Sequence, residues 1–170
     1  MASRREKRLA RKQKEHEDFE RKKARQAIEP PAEKVVRVAR IGQRELLIWT
    51  RDDADVIGQW SWGPRSCLDD AWPDTIHPFL TDYAKKSWNE ITAEKTGSGK
   101  KRRRKHKRYP VADICKEAQR RLIEIERDDV DLVFRFRLGG RERLFGTRAG
   151  SLFSVLWWDP LHNIYPLADN

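Results

Sequence analysis

The chain has 170 residues, of which 38% are charged and 38% hydrophobic, and its formal net charge is +10. No apolar run reaches the roughly 20 residues that cross a membrane, and no apolar segment follows the basic N-terminus as in a secretory signal. A membrane protein is therefore excluded, and we expect a cytoplasmic protein with one folded domain. Cys67 and Cys115 stand alone, as reduced thiols do, although their spacing leaves a disulfide open.

The positive charge is concentrated in two segments. Residues 1–26 contain eleven Lys and Arg against five Asp and Glu, which gives +6, and residues 100–108, the basic run, add eight cations and no acid. Subtracting these 14 charges from +10 leaves −4 for the remainder. Basic patches attract polyanions through counterion release, so RNA or DNA is the predicted partner, and no membrane is expected. The alternative is that both segments only keep the chain solvated.

Residues 1–33 are predicted to form a basic arm, disordered or a solvated helix, which ends at the two adjacent prolines 30 and 31. A single α+β domain is predicted over residues 34–166, with a short tail at 167–170. The domain begins with a hairpin, in which Val36 and Val38 mark the first strand, Gly42 the turn, and residues 46–50 the second strand. Residues 56–63 are a candidate third strand.

Two helices are predicted in the middle of the domain. Residues 77–95 have apolar side chains at helical spacing and a proline in the first turn, and residues 111–129 repeat the pattern with Ile114, Ala118 and Leu122. Between the helices, residues 96–108 are predicted to be a flexible basic loop, because glycines interrupt the segment and its charges repel one another.

Three antiparallel strands are predicted to follow as a meander. Apolar and basic residues alternate over residues 132–138, Gly139 and Gly140 form a two-residue turn, and a strand ends at the Asp159–Pro160 pair. The predicted fold class is thus α+β: N-terminal strands, two helices, then a three-stranded antiparallel meander, with the helices packed on one face of the sheet.

The usual catalytic motifs are absent from the sequence. There is no phosphate-binding loop, no nucleophile elbow and no His-Glu-x-x-His zinc motif. The four histidines stand in unrelated contexts without neighbouring ligands at metal-binding spacing. We therefore expect neither a metal site nor a cofactor.

A basic cluster is predicted on the C-terminal strands. Arg135 and Arg137 share one face of a strand, and Arg141 and Arg143 follow across the Gly-Gly turn. If these faces coincide, four guanidinium groups converge and can bind phosphates or stabilise the charge of a phosphoryl-transfer transition state. The alternative is a solvated sheet face on which the arginines pair with Glu142.

Two side chains beyond the last strand are suited to proton transfer. His162 can exchange a proton near neutral pH, and Tyr165 can donate one. Asp159 either orients the imidazole or ends the strand through a side-chain turn. Trp157 and Trp158 point to opposite sheet faces, and Trp158 is the candidate platform for stacking a base. The predicted nucleic-acid-binding residues are Lys100, Lys101, Arg102, Arg103, Arg104, Lys105, Lys107, Arg108, Arg135, Arg141, Arg148 and Trp158.

Residues 134–166 resemble the C-terminal signature of small uncharacterised proteins found around phages and mobile elements. That signature runs Trp, Asp-Pro, one residue, His, two residues, Tyr-Pro. Here it is matched by Trp157 or Trp158, then Asp159–Pro160, His162 and Tyr165–Pro166. This resemblance implies kinship but no activity.

The predicted element order and the basic composition also resemble RelE/ParE-type toxins. Many of those toxins are ribosome-dependent endoribonucleases that cleave mRNA through its own 2′-hydroxyl. The resemblance implies a metal-independent endoribonuclease in which Arg137, Arg143, His162 and Tyr165 are catalytic, with the ribosome and an acidic antitoxin as partners. The basic arm, the extra strands and the basic loop depart from the usual pattern. The alternatives are a non-catalytic nucleic-acid-binding module and an accessory protein of a phage or mobile element.

Overall fold

A five-stranded mixed sheet is the centre of the protein in the computed structural model, which describes residues 44–165. The sheet strands are β1 (Ile48–Thr50), β6 (Lys107–Pro110), β7 (Leu132–Arg137), β8 (Arg143–Ala149) and β9 (Leu152–Asp159). Two small hairpins pair β2 (Gln59–Trp60) with β3 (Gly63–Pro64) and β4 (Lys95–Thr96) with β5 (Arg103–Arg104). The helices are α1 (Cys67–Ala71), α2 (His77–Tyr83), α3 (Trp88–Ala93) and α4 (Lys116–Glu124), with a π-helical turn at Trp72–Ile76 and 3₁₀ turns at Gly99–Lys101 and Val111–Asp113.

The strands are arranged in the order β1-β9-β8-β7-β6. The pairs β6–β7, β7–β8 and β8–β9 are antiparallel, whereas β1 runs parallel to β9, with Ile48 opposite Leu152. The α+β class is therefore confirmed. The second strand of the predicted N-terminal hairpin is present as β1. Its first strand, the arm at residues 1–33 and the tail at 167–170 lie outside the described residues.

The helices cover both faces of the sheet, so the prediction of one covered face is wrong. Phe134 and Phe136 of β7 point into a core that contains Leu80 of α2 and Ile91 of α3. Val133 points the other way, into a second core with the apolar stripe of α4. The cause is the composition of β7 to β9, where consecutive residues are buried because each face has apolar side chains of its own. None of the described helices is long and apolar enough to cross a membrane.

The predicted helix over residues 77–95 is two helices. α2 ends at Tyr83 and α3 begins at Trp88, with Ser87 as its N-cap. The Ser87 hydroxyl accepts a hydrogen bond from the Glu90 backbone N–H at 3.3 Å, and the Glu90 carboxylate accepts one from the Ser87 N–H at 2.7 Å. This capping box starts a new helix inside a continuous apolar stripe.

The basic run contains regular structure that its composition does not predict. It contributes a 3₁₀ turn, strand β5 and the start of β6, which is an outer strand of the sheet. Between the two strands, His106 is 1% exposed. The run therefore brings its cations directly against the sheet.

Candidate nucleic-acid interface

A groove of about 1130 Å³, the basic groove, lies on the sheet face that also carries α4. Sixteen residues of the described part of the chain line it; eight of them are Lys or Arg, and Asp113 is the one carboxylate among these sixteen. The lining residues are Thr96, Arg103, Arg104, Lys105, Lys107, Tyr109, Asp113, Arg135, Arg137, Gly140, Arg141, Arg143, Leu161, His162, Asn163 and Tyr165. The groove thus joins the basic run, the strand arginines and the segment after β9.

Strand register explains why the arginines meet. Side chains alternate along β7, so Arg135 and Arg137 leave the face opposite to that of Phe134 and Phe136. Arg137 is paired directly with Arg143 of β8, and Arg135 with Lys107 of β6. Like charges that face each other across two strands destabilise a sheet. The repulsion among these cations on β6, β7 and β8 therefore lowers the stability of the fold, and a bound anion would reduce this repulsion.

Two of these arginines are buried and have no ion-pair partner within residues 44–165. Arg135 and Arg143 are each 6% exposed, and the Nε atom of each is buried without a hydrogen-bond partner in residues 44–165. Neither they nor Arg137 form an ion pair with a carboxylate of that part of the chain. Burial lowers the pKa of both groups, and repulsion from Arg135 and Arg137 helps to bring that of Arg143 to about 10. Both remain protonated at neutral pH.

Arg143 also has a structural task. Its Nη1 atom donates hydrogen bonds to the carbonyl oxygens of Gly139 (3.2 Å), Gly140 (3.0 Å) and Glu142 (2.8 Å). These bonds close the turn between β7 and β8. The Arg137 guanidinium makes no hydrogen bond within residues 44–165, so among the buried or half-buried strand arginines Arg135, Arg137 and Arg143 it is the one with all its donors available at the groove.

Asp159 ends β9 through a side-chain turn, which decides between the two roles considered for it. Its carboxylate is fully buried and accepts hydrogen bonds from the backbone N–H groups of Asn163 and Ile164, both at 2.8 Å. The Ile164 carbonyl in turn accepts one from the Cys115 N–H at 2.7 Å. The turn holds His162 at φ +67°, a left-handed conformation that costs about 1 kcal/mol or more.

The geometry places His162 and Tyr165 in the groove together with the arginines. Burial lowers the pKa of His162, and repulsion from Arg143 and Arg135 adds to this against the opposing effect of Asp159. The imidazole is therefore neutral at pH 7 and able to accept a proton. The Tyr165 ring packs against Tyr109, with 4.0 Å between ring centroids, which fixes the direction of its phenol.

A partly buried polar network on the opposite sheet face anchors the basic run. Glu94 Oε2 accepts hydrogen bonds from Tyr83 Oη (2.7 Å) and Lys105 Nζ (3.1 Å), and its Oε1 accepts one from Lys86 Nζ (2.7 Å). His106 Nδ1 accepts from the Arg137 backbone N–H (3.2 Å), so its Nε2 carries the proton and donates to Glu94 (3.2 Å). The Lys105 carbonyl accepts from Arg135 Nη2 at 2.9 Å, so the network also positions a groove arginine.

The network predicts a pH dependence of stability. Burial lowers the pKa of His106 to about 4; burial also raises the pKa of Glu94, but hydrogen bonds from Lys86, Tyr83 and Lys105 outweigh this and bring it to about 2. Below pH 6.5 His106 is protonated in the unfolded chain but stays neutral in the folded protein. Below pH 4.5 Glu94 is likewise protonated in the unfolded chain but stays ionised in the folded protein. Protonation therefore favours the unfolded state at both residues.

We expect the free energy of unfolding to decrease by about 3 kcal/mol between pH 6.5 and 4 through His106, and to decrease further between 4.5 and 2 through Glu94. Urea unfolding at a series of pH values measures it. In a His106→Phe variant the decrease between pH 6.5 and 4 should become smaller by about 3 kcal/mol and leave only the contribution of His162, whose pKa is also lowered, and an unchanged decrease there would contradict the assignment to His106.

Other predicted residues lie outside the groove. Lys100, Lys101 and Arg102 are exposed and line neither this groove nor the other cavities described for residues 44–165, and Arg108 and Arg148 line a different cavity. The prediction that Trp158 stacks on a base is wrong. Its side chain is 5% exposed and packs in the core with α1 to α3, because both faces of β9 are covered. Its ring is not available to stack on a base.

Several residues of the groove and of the network beside it are not predicted by the sequence. Tyr109 and Asn163 line the groove, and the set Tyr83, Glu94 and His106 supports it from behind. His106 stands among eight cations in sequence, and only contacts with distant helices reveal that it is buried. The capping signature at Ser87 could have indicated that a separate helix begins at Trp88, with Glu94 just past its end.

Fold and groove together define a basic α+β protein with a cationic groove on one face of a mixed sheet. Comparison with known protein families, with characterised proteins and with solved structures finds no match to this chain. Within residues 44–165, no three His, Cys, Asp or Glu side chains are grouped in a way that could hold a metal ion.

Proposed function

We propose that the protein binds RNA in the basic groove and cleaves it as a metal-independent endoribonuclease of the toxin kind. The observation that carries the proposal is that one groove contains eight Lys and Arg side chains together with His162 and Tyr165. Phosphodiester groups would offset the repulsion among the buried arginines, which is why a polyanion fits better than a neutral ligand.

In the proposed reaction, neutral His162 accepts the proton of a ribose 2′-hydroxyl. The 2′-oxygen attacks the adjacent phosphorus, the bond from phosphorus to the 5′-oxygen breaks, and the leaving oxygen takes a proton from Tyr165. The products are a 2′,3′-cyclic phosphate and a 5′-hydroxyl, and a proton returned from His162 to Tyr165 restores the enzyme. Arg137, with Arg143 behind it, stabilises the additional negative charge on the phosphorane.

The ribosome and an acidic antitoxin are the partners proposed with this activity. The groove rim provides exposed cations at Arg103, Arg104 and Arg141. Carboxylates of an antitoxin segment would pair with these side chains and exclude RNA from the groove.

Growth after tightly controlled expression tests the proposal. The intact protein is expected to arrest growth, and the double variant His162→Ala, Tyr165→Phe should relieve the arrest at equal soluble level. Well-folded intact protein that leaves growth unaffected would contradict a toxin.

The second candidate is a non-catalytic nucleic-acid-binding module. It is favoured by the hydrogen bonds of Arg143 Nη1 to its own turn, which use donors that a catalytic arginine would direct at the phosphate. Salt-sensitive binding is expected of both candidates and does not separate them, whereas growth arrest and RNA cleavage do.

A further inference from the structure

A second basic cavity, the edge pocket, lies on the sheet face opposite to the groove, beside α3. It has a volume of about 710 Å³, and Thr92, His106 and Phe134 form part of its wall. Its remaining lining residues are all cations: Arg104, Lys107, Arg108 and Arg148. Among the described residues no carboxylate lines it, so the charge that residues 44–165 bring to it is entirely positive.

The two cavities meet at the outer strand β6. Lys107 is paired with Arg135, which faces the groove, whereas Arg108 is paired with Phe134, which faces the core formed with α1 to α3. Consecutive residues of β6 therefore present their charges on the two sides of the sheet. Arg104 and Lys107 line both cavities and connect them.

We propose that a single strand of RNA passes over β6, with phosphates bound in the basic groove and in the edge pocket. The inference rests on the proposed function and deepens it: the substrate is single-stranded, and it extends beyond the groove to the opposite face of the sheet.

Electrostatic repulsion on both sides of β6 supports this path. Burial and repulsion from Arg135 and Arg103 lower the pKa of Lys107, and burial and repulsion from Arg108 lower that of Arg148 to about 10. Arg148 is held in place by the Gly150 carbonyl, 2.9 Å from its Nε, and by the Trp88 ring, 4.0 Å from its guanidinium carbon. An anion in the groove would relieve the repulsion on Lys107, and an anion in the edge pocket would be attracted by Arg104, Lys107 and Arg108.

The geometry favours a single strand over a duplex. One strand of a sheet occupies about 4.8 Å in width, so a ligand that contacts both faces must reverse direction over a very short edge. A double helix is stiff over about 150 base pairs and cannot make this bend, whereas an unpaired strand can. The competing explanation is that Lys107 and Arg108 only prevent edge-to-edge association of sheets, as charges on outer strands commonly do.

Binding of oligonucleotides of two lengths to the full chain tests the path. The probes are 5′-fluorescein-labelled 2′-O-methyl oligouridylates of 4 and 12 nucleotides, which cannot be cleaved at the 2′-oxygen, and a 12-base-pair RNA duplex. Fluorescence anisotropy at several salt concentrations gives Kd and its salt slope for the intact protein, Arg108→Ala and Arg137→Ala. Arg120→Ala is the matched control, since Arg120 is exposed on α4 and lines neither cavity.

We expect Arg108→Ala to weaken the 12-mer about tenfold and the 4-mer about twofold, and to reduce the salt slope for the 12-mer by about 0.7. Arg120→Ala should change both lengths by the same small factor, and the duplex should bind more weakly than the 12-mer. Equal effects of Arg108→Ala at both lengths, or a duplex that binds as tightly as the 12-mer, would overturn the inference.

The Arg137→Ala variant distinguishes the proposal that the groove binds RNA from the proposal that the strand passes over β6. If this variant weakens the 4-mer while Arg108→Ala behaves like the control, the groove binds RNA and only the path over β6 is wrong. If the intact protein binds none of the probes, the proposed function and the path fail together.

Discussion

A His162→Ala protein is expected to cleave RNA about 10²–10⁴-fold more slowly than the intact protein, while its affinity for RNA changes by less than about threefold. The loss follows from removing the group that accepts the 2′-hydroxyl proton, and binding persists because a neutral imidazole adds no charge to the groove. Single-turnover cleavage of a labelled RNA in EDTA, with binding measured separately, gives both quantities.

His162→Asn is the matched variant for this experiment. Asparagine adopts the left-handed conformation more readily than alanine, so it preserves the turn at φ +67° but cannot act as the base. It should be as slow as His162→Ala. An active His162→Asn protein would show that the residue shapes the turn and takes no part in proton transfer.

The pH profile of the intact protein provides a second check on the same residue. Because the pKa of His162 lies below its usual value in the free protein, kcat/KM should be constant around neutral pH and decrease in the acidic range as the imidazole becomes protonated. If kcat/KM already decreases while the pH is lowered towards 7, His162 is not neutral in the free protein, and the assignment is contradicted.

Glu94→Gln is expected to lower the free energy of unfolding by about 3 kcal/mol and the melting temperature by about 10 °C. The carboxylate accepts hydrogen bonds from Lys86, Lys105 and Tyr83, and an amide leaves the two ammonium groups without their counter-charge beside the core. Urea unfolding and calorimetry measure the effect. RNA affinity should fall as well, since Lys105 would no longer hold Arg135 through its carbonyl.

Glu124→Gln serves as the control for charge. Glu124 pairs with Arg121 on α4, but its side chain is 59% exposed, so its replacement should change stability by less than about 0.5 kcal/mol. Equal stabilities of Glu94→Gln and the intact protein would show that the network does not anchor the basic run.

The convergence of the arginines could be predicted only in part from local pattern. Alternation along β7 places Arg135 and Arg137 on the face opposite to the phenylalanines, as strand periodicity predicts. The predicted two-residue turn at Gly139–Gly140 is wrong, because it would pair Arg137 with Glu142 and turn Arg143 to the other face. The strands instead pair Arg137 with Arg143 across residues 138–142, where the Glu142 N–H donates to the Gly139 carbonyl.

Features that depend on distant contacts could not be predicted. The burial of His106 requires Tyr83 and Glu94 from the helical layer, and the burial of Trp158 requires helices on both faces of the sheet. The pairing of β1 with β9 joins residues from opposite ends of the described chain. The break between α2 and α3 is different, because the capping box at Ser87 lies in the local sequence. The apolar stripe continues across the break, so periodicity alone predicts one helix.

The position of β9 has a consequence for the timing of folding during synthesis. This strand lies between β1 and β8, and its side chains contribute to both cores, although it is the last strand of the sheet to leave the ribosome. β1 has no partner in the described sheet until β9 emerges, and such non-local pairing is slow to form. The groove therefore forms only after residues 152–165 have been synthesised, so a nascent chain that has not reached them lacks the completed groove.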